Sequence, residues 1–352
     1  MKIIKEIAIK NKIIGEGRPV FVIAEAGVNH NGRLDLALKL VDAAVAAGAD
    51  AVKFQTFVVD EGTPKFLDKA EYQKSELLKN ESMYQMLKRL ELGLDAFIEI
   101  KLYCDKKNII FLSTPCDFKS LEMLDKIGVP AFKIGSGDLT FIPLISKVAK
   151  KGKPVIISTG MANLEEVKEA VKAIEAAGNR KIVILQCTTD YPTEFKDANL
   201  NVLKFFQKIF DYPIGFSDHT PGLEASIAAV ALGAKLVEKH FTLDKNLVGP
   251  DHRASIEPSE LKALVEGIRK VESAMGDYKK KPTKQELLIA KKVRKSIVAA
   301  KNLKKGEAIN RNSIKVMKPE TGLRPKYFDK IIGRKLNKAK KIYEPILRED
   351  LI

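Results

Sequence analysis

The sequence predicts an α/β fold: a TIM (β/α)8 barrel followed by a small β-rich module. Three observations carry that expectation. Eight short apolar or β-branched runs recur along the first two thirds of the chain, helical patterns separate them, and each run ends in a polar or glycine cluster. Strands alternating with helices build a parallel sheet, and eight repeats close it into a barrel. Barrel chemistry sits at the carboxyl ends of the strands, so these polar tails are the candidate site.

Taken in order, the runs are Val20–Gly27, Ala51–Thr56, Ile109–Thr114, Ala131–Asp138, Val155–Gly160, Ile182–Thr188, Ile214–His219 and Leu236–His240. Between the first two, Leu34, Leu38, Val41, Val45 and Ala46 keep helical spacing. Leu164, Val167, Val171 and Ile174 do the same, with Glu165 and Glu166 in the first turn and Gly178 as the stop. The last barrel helix is expected over Ser259–Met275, closed by Gly276. The interval Val58–Lys107 exceeds a plain crossover and is expected to hold a loop and helices that form a lid. These spans divide the chain into a barrel over 1–276, a linker over 277–294 (polar from Asp277 to Gln285) and a second module over 295–352. Strand-like runs at 296–300 and 314–317, punctuated by Gly306, Pro319, Gly322 and Pro325, make that module compact and turn-rich.

Length and composition bound the rest. A chain of 352 residues that is 45% apolar can bury a sizeable core. It opens with Lys2, Lys5 and Lys10 but has no signal-like apolar segment, and no apolar run nears the 18 residues of a membrane span. Cys104, Cys116 and Cys187 lack metal-type spacing and read as reduced thiols, so the expected setting is cytoplasmic, with no membrane. The net charge of +16 is concentrated late: 23 Lys and Arg against 8 Asp and Glu from Gly276 onward. No recognition helix or RNA motif accompanies it. A solvated, lysine-rich surface that attracts small anions is preferred to a nucleic-acid tail.

His219 and His240 end the seventh and eighth runs, on strands that a barrel places side by side. Two neutral imidazoles there suit a divalent transition metal such as Mn²⁺; the alternative is a pair of hydrogen-bonded rim residues. Lys53 and Lys133 interrupt otherwise apolar strands. An unpaired buried ammonium is costly, so each must meet an anion in the barrel mouth or an ion-pair partner such as Glu25 or Asp138. With Thr114, Ser136, Ser158 and Ser217 they suggest a phosphate-and-carboxylate cradle, to which Gly135-Ser136-Gly137 adds close backbone approach. Glu25 and Asp138 are suited to sugar hydroxyls or to acid–base work, and Gly249–Arg253 reads as a loop laid across the mouth.

Strings such as Ile23–Gly32, Val52–Gln55, Leu112–Pro115, Lys133–Asp138, Ser158–Met161, Gln186–Thr188, Gly215–Thr220 and Glu238–Thr242, in this order, resemble the sialic acid synthase family over nearly the whole chain. The C-terminal module resembles that family's antifreeze-like (SAF) domain, with Lys318–Gly322 as its sugar-facing loop. The resemblance implies a C–C bond-forming transferase that condenses phosphoenolpyruvate with an acylated amino-sugar aldehyde such as N-acetylmannosamine, releasing phosphate. It further implies Mn²⁺ or Mg²⁺ on His219 and His240. Lys53, Thr114, Lys133, Ser136, Ser158, Tyr191 and Ser217 would bind phosphoenolpyruvate; Glu25, Gln55, Asp138 and Asp251 would orient the sugar. Lys318 would act from a partner subunit, in a homodimer whose C-terminal domains cap each other's barrels. Lys318 replaces a family arginine, Thr189 an asparagine and Asp138 a frequent glutamate; these departures bear on the choice of sugar. Legionaminic and pseudaminic acid synthases share the framework. Synthases of 3-deoxy-sugar acids and a silent sugar-binding or ice-binding protein are the more distant alternatives.

Overall fold

The computed structural model describes residues 6–69 and 81–352, so the central part of the expected lid, residues 70–80, lies outside the described residues. Two compact units divide the chain at Gly276. The first opens with an antiparallel hairpin, β1 (Glu6–Ile9) and β2 (Lys12–Gly15), which turns at Lys10 in the left-handed region, φ 51°. Eight parallel strands follow: β3 (Phe21–Gly27), β4 (Ala51–Thr56), β5 (Ile110–Pro115), β6 (Phe132–Ile134), β7 (Val155–Ser158), β8 (Ile182–Cys187), β9 (Ile214–Asp218) and β10 (Leu236–His240). Their hydrogen-bonded order is β5-β4-β3-β10-β9-β8-β7-β6, and the two end strands pack side by side, which brings the sheet round to a near-closed TIM-type barrel.

All eight runs read from sequence are therefore strands. Helices fill the intervals, including Leu34–Ala47, Leu94–Lys106, Leu164–Ala176 and Pro258–Met275. On Leu34–Ala47 the fully buried stripe is Ala37, Leu40, Val41, Ala44 and Ala47, shifted from the leucine-and-valine stripe expected from sequence. Alanine lets the helix axis approach the sheet, and the larger Leu34, Leu38 and Val45 then pack at the flanks of the contact.

Side chains alternate across a strand, so every second residue points into the barrel. Toward the strands' amino ends the inward set is apolar: Phe21, Ile23, Ala51, Ile110, Leu112, Ala131, Ile156, Val183, Leu185 and Leu236 form one buried cluster. Ile7, Ile9 and Ile14 of the hairpin join it and plug that end. Gly215 is required there, because a Cβ would stand 2.6 Å from both Leu185 Cδ2 and the Leu236 carbonyl oxygen. Outside the barrel, a larger cluster joins the outward strand residues to the helices.

The second unit pairs β11 (Ser296–Ala299) with β12 (Ile314–Met317) in antiparallel register over a core of Ile297, Leu303, Ile309, Ile331, Leu336 and Ile346. Buried Lys340 pairs with Asp350 at 2.5 Å. The stretch read as linker contains a helix, Lys284–Val293, started by a reciprocal cap between Thr283 and Glu286. No helix among the described residues is long and apolar enough to cross a membrane.

Candidate active site

The inward series changes character halfway along the strands. Above the apolar floor lie Glu25 (β3), Lys53 (β4), Lys133 (β6), Ser217 (β9) and Glu238 (β10), all buried. Lys53 Nζ is 2.7 Å from Glu25 Oε2 and 3.7 Å from Glu238 Oε2. Lys133 Nζ is 3.4 Å from Glu238 Oε1, which also accepts the Ser217 hydroxyl at 3.0 Å. Lys53 also donates to Thr114 Oγ1 at 3.3 Å. The ion-pair reading of Lys53 is the one seen, with Glu25 as its partner. Lys133 pairs with Glu238 rather than with Asp138.

Burial works against charge in all of these groups, and their neighbours decide how far. For Glu238, burial is overcome by Lys133 and Lys53, which hold the carboxylate ionised with a pKa of about 2. For Glu25, burial prevails over the pull of Lys53, and the negative charge of Glu238 adds to it, pushing the value up to about 7. Lys53 stays above the ordinary lysine value because Glu238 and Glu25 outweigh burial, while burial and the Lys53 charge lower Lys133. One carboxylate is fixed as an anion and the other is poised to exchange a proton near neutrality, a separation of roles typical of acid–base sites.

At the strand tips, the His219 and His240 rings lie with centroids 5.4 Å apart. Tyr191 packs against both, at 4.2 and 5.6 Å. The position is built by a cross-strand pair one residue earlier. Lys239 and Asp218, register partners on β10 and β9, form a buried 2.8 Å ion pair on the outward side. Thr220 and Ser226 donate to the same carboxylate. His219 Nδ1 donates to the Thr188 carbonyl at 2.7 Å, which fixes the ring with Nε2 as its other nitrogen. His240 Nδ1 is buried without a hydrogen-bond partner. Burial holds His240 well below the usual imidazole value; for His219, Cys187 and the Thr188 carbonyl outweigh burial and raise it. Among the described residues no set of three or more His, Cys, Asp or Glu is gathered to hold a metal. With the two rings 5.4 Å apart, His219 held through Nδ1 and His240 Nδ1 left unsatisfied, the pair nonetheless fits a divalent cation that takes its other ligands from water or substrate.

Around this pair the remaining predicted residues fall into two groups. On one side, three polar groups converge beside Gly27, whose left-handed backbone (φ 52°) favours glycine: a Cβ there would be in ordinary contact with Gln55 Nε2 (3.4 Å), Glu25 Oε1 (3.5 Å) and Asp251 Oδ2 (3.5 Å). Gln55 donates to Glu25 at 3.4 Å, and Asp251 Oδ2 is 3.9 Å from His240 Nδ1. Burial raises Asp251 to about 6. On the other side, Ser136 accepts from the Gly160 N–H at 3.0 Å and touches Cys187. A Cβ on Gly160 would run into Ser136 and Thr189. The Ser158 and Thr189 hydroxyls are buried without hydrogen-bond partners, so both are able to donate to a bound anion. Asp138 lies in the short 3-10 turn Ser136–Asp138 near Thr114, and burial, reinforced by Asp117, raises it to about 6. Lys318 belongs to the second unit, where it is exposed just after β12.

Comparison with known proteins decides the family. Residues 40–280 match the NeuB family and residues 294–352 the SAF domain. The chain belongs to the NeuB family. It is 45% identical to the N,N'-diacetyllegionaminic acid synthase of Campylobacter jejuni, across 90% of this chain and 96% of that protein. It is 38% identical to human N-acetylneuraminate-9-phosphate synthase, across 92% of this chain and 90% of that one. Among solved structures, the N-acetylneuraminic acid (sialic acid) synthetase of Leptospira borgpetersenii is 37% identical with a TM-score of 0.72, covering 81% of this chain and 95% of that one.

Two groups of this NeuB-family site escape a reading by residue type alone. Glu238 stands two residues before His240, so strand alternation puts it on the same inward face, and applying that parity finds it. Asn31 meets His252 across 221 positions of sequence, and Asn29 meets the Phe241 carbonyl across 212, so neither pairing can be read from the local string in which each residue sits.

Proposed function

We propose that this chain condenses phosphoenolpyruvate with an acylated amino-sugar aldehyde, N-acetylmannosamine or a relative, to give a nonulosonic acid of the sialic type and phosphate. The observation that carries the reading is the pair of buried lysines sharing one firmly ionised carboxylate, Glu238. Only Glu238 of that cluster is held firmly ionised, since Glu25 exchanges its proton near neutrality, so two buried ammonium groups are suited to an anionic substrate that completes their neutralisation. Lys53, Lys133, Thr114, Ser136, Ser158 and Ser217 would hold the phosphate and carboxylate of phosphoenolpyruvate, with Tyr191 closing that side.

Glu25, Gln55, Asp138 and Asp251 would face the acceptor. In the reaction the substrate C3 forms the bond to the aldehyde carbon, water oxygen enters at C2, and the C–O bond to phosphate breaks. Glu25, with its value near neutrality, is suited to take the proton from that water. His219 and His240 would hold Mn²⁺ or Mg²⁺, whose chemistry when bound is Lewis-acid polarisation of the aldehyde oxygen. Working as a homodimer, the enzyme would bring Lys318 of one subunit to the acceptor held in the other's barrel.

A second acceptor class has its own support, since identity to the Campylobacter N,N'-diacetyllegionaminic acid synthase (45%) exceeds that to the human synthase (38%). One experiment tests both. Phosphate release from phosphoenolpyruvate is followed against N-acetylmannosamine, its 6-phosphate and diacetamido-sugar acceptors, after chelation and with Mn²⁺ restored. Acceptor- and metal-dependent release is expected, and release with none of these sugars would overturn the reading. The subunit arrangement is tested by mixing Lys318→Ala with Lys133→Met chains. Recovered activity is expected, because one site of the mixed dimer has both parts intact; failure in dimers shown to have exchanged subunits would overturn it.

A further inference from the structure

The loop that follows β10 carries Asp251 to the mouth, yet loops are the most mobile parts of a barrel. This one is tied down at two points. Beside Asp251, the His252 side chain is completely buried. Its Nε2 meets Asn31 Oδ1 at 3.2 Å, and its Nδ1 meets Thr242 Oγ1 at 2.6 Å. Burial pulls His252 down to about 4, so the ring is neutral at ordinary pH. The neutral tautomer that satisfies both partners donates from Nε2 to Asn31 and accepts the Thr242 hydroxyl proton at Nδ1. The second tie runs through Asn29, whose Nδ2 donates to the Phe241 carbonyl and to Ser255 Oγ, while Ser255 Oγ donates to the Asp251 carbonyl at 2.7 Å. Gly249 closes the junction, because a Cβ there would stand 2.6 Å from His252 Cδ2 and 2.7 Å from Asn31 Oδ1. Asn29 and Asn31 both belong to the turn directly after β3, the strand that carries Glu25.

We propose that His252 is a positioning residue: it ties the loop after β10 to the turn after β3 and so holds Asp251 at the acceptor side of the mouth. The proposal rests on the reading that Asp251 faces the acceptor. His252 itself touches neither Glu25 nor the lysines, so its loss should free Asp251 without disturbing the anion cradle.

The test uses the full-length enzyme in steady state, with both substrates varied. His252→Ala and Asn31→Gly should each raise the acceptor KM roughly tenfold, the loss of one or two buried hydrogen bonds, and leave the phosphoenolpyruvate KM unchanged. Glycine at position 31 removes the side chain while keeping the left-handed backbone, φ 51°, so that variant tests the tie even where His252→Ala fails to fold. The double variant should be no worse than the poorer single one, because both break the same link. His252→Gln, which places an amide N–H near the position of Nε2, should restore most of the affinity. An unchanged acceptor KM in the single variants, alongside a raised one in Asp251→Asn, would overturn the positioning role alone. No effect of Asp251→Asn would remove the reading on which it rests. A parallel rise in both KM values would also overturn the proposal, since it would mark a general loss of structure.

Discussion

On β10 the inward positions run Leu236, Glu238, His240; on β4 they run Ala51, Lys53, Gln55; on β8 they run Val183, Leu185, Cys187. The same strands, in the same register, thus build an apolar floor at one end and a charged mouth at the other. In the floor each residue is interchangeable in kind with its neighbours, and the hairpin residues Ile7, Ile9 and Ile14 extend it. In the mouth the charged residues are defined by particular partners, as Lys53 is by Glu25, Glu238 and Thr114, and several polar atoms (His240 Nδ1, the Ser158 hydroxyl, the Thr189 hydroxyl) lack any. Unsatisfied buried polar atoms cost stability, so the mouth is maintained by the floor and the helices rather than by its own contacts.

The sharpest way to break the contrast is to truncate the strand tips. His219→Ala or His240→Ala should lower metal-dependent turnover by roughly a thousandfold or more, the equivalent of several kcal/mol of lost Lewis-acid stabilisation, with thermal unfolding unchanged. Chelator-resistant phosphate release at the normal rate in either variant would sink the metal assignment. The floor should respond in the opposite way. Ile156, the register partner of Lys133 on β7, is fully buried in the floor cluster, and Ile156→Ala should cost about 2–5 kcal/mol of unfolding free energy while the surviving folded enzyme keeps its KM values. A denaturant midpoint that does not move would show that the floor is not what supports the site.

Lys133→Met comes next in size. A charge-assisted contact to a phosphate or carboxylate contributes about 1.5–3 kcal/mol, so the phosphoenolpyruvate KM should rise roughly tenfold to a few hundredfold. Since Lys53 still balances Glu238 in the variant, the protein should be no less stable than the parent. Unchanged saturation by phosphoenolpyruvate would make Lys133 a structural ion-pair residue, and the mouth would then resemble the floor.

The same contrast explains what could be read in advance. Strands such as Val155–Ser158 and Ile182–Cys187 are legible because a buried parallel strand is apolar on both faces, and their polar ends are legible because nothing else in such a run needs a hydroxyl or a lysine. Glu238 is legible once strand parity is counted back from His240, with Lys239 between them turned outward to a partner of its own. The hairpin Glu6–Gly15 and the helix Lys284–Val293 carry little local signal because the one gains its order from cross-strand pairing and the other is exposed along nearly its whole length and started by a single cap at Thr283. Contacts such as His252 with Asn31 are products of closure itself, since only the completed barrel makes β3 and β10 neighbours.

The smallest effect is also the most direct measure of what the mouth costs. Burial and the nearby Asp117 raise the Asp138 carboxyl from 3.8 to about 6 in the folded protein. A group raised in this way binds its proton more tightly when folded, so its contribution to stability is complete below pH 3.8 and is lost as pH climbs toward 6. Asp138→Asn mimics the protonated acid and cannot ionise. Its unfolding free energy should coincide with the parent's at the acid end, then exceed it progressively between about pH 4 and 6, and stay higher above that. Truncating a floor residue destabilises at every pH; neutralising this mouth residue should stabilise, and only where the parent carboxyl is charged. Chemical denaturation of both proteins at a series of pH values measures the difference. Parallel curves would mean that Asp138 is as well accommodated ionised as neutral, and that this corner of the mouth carries no electrostatic strain.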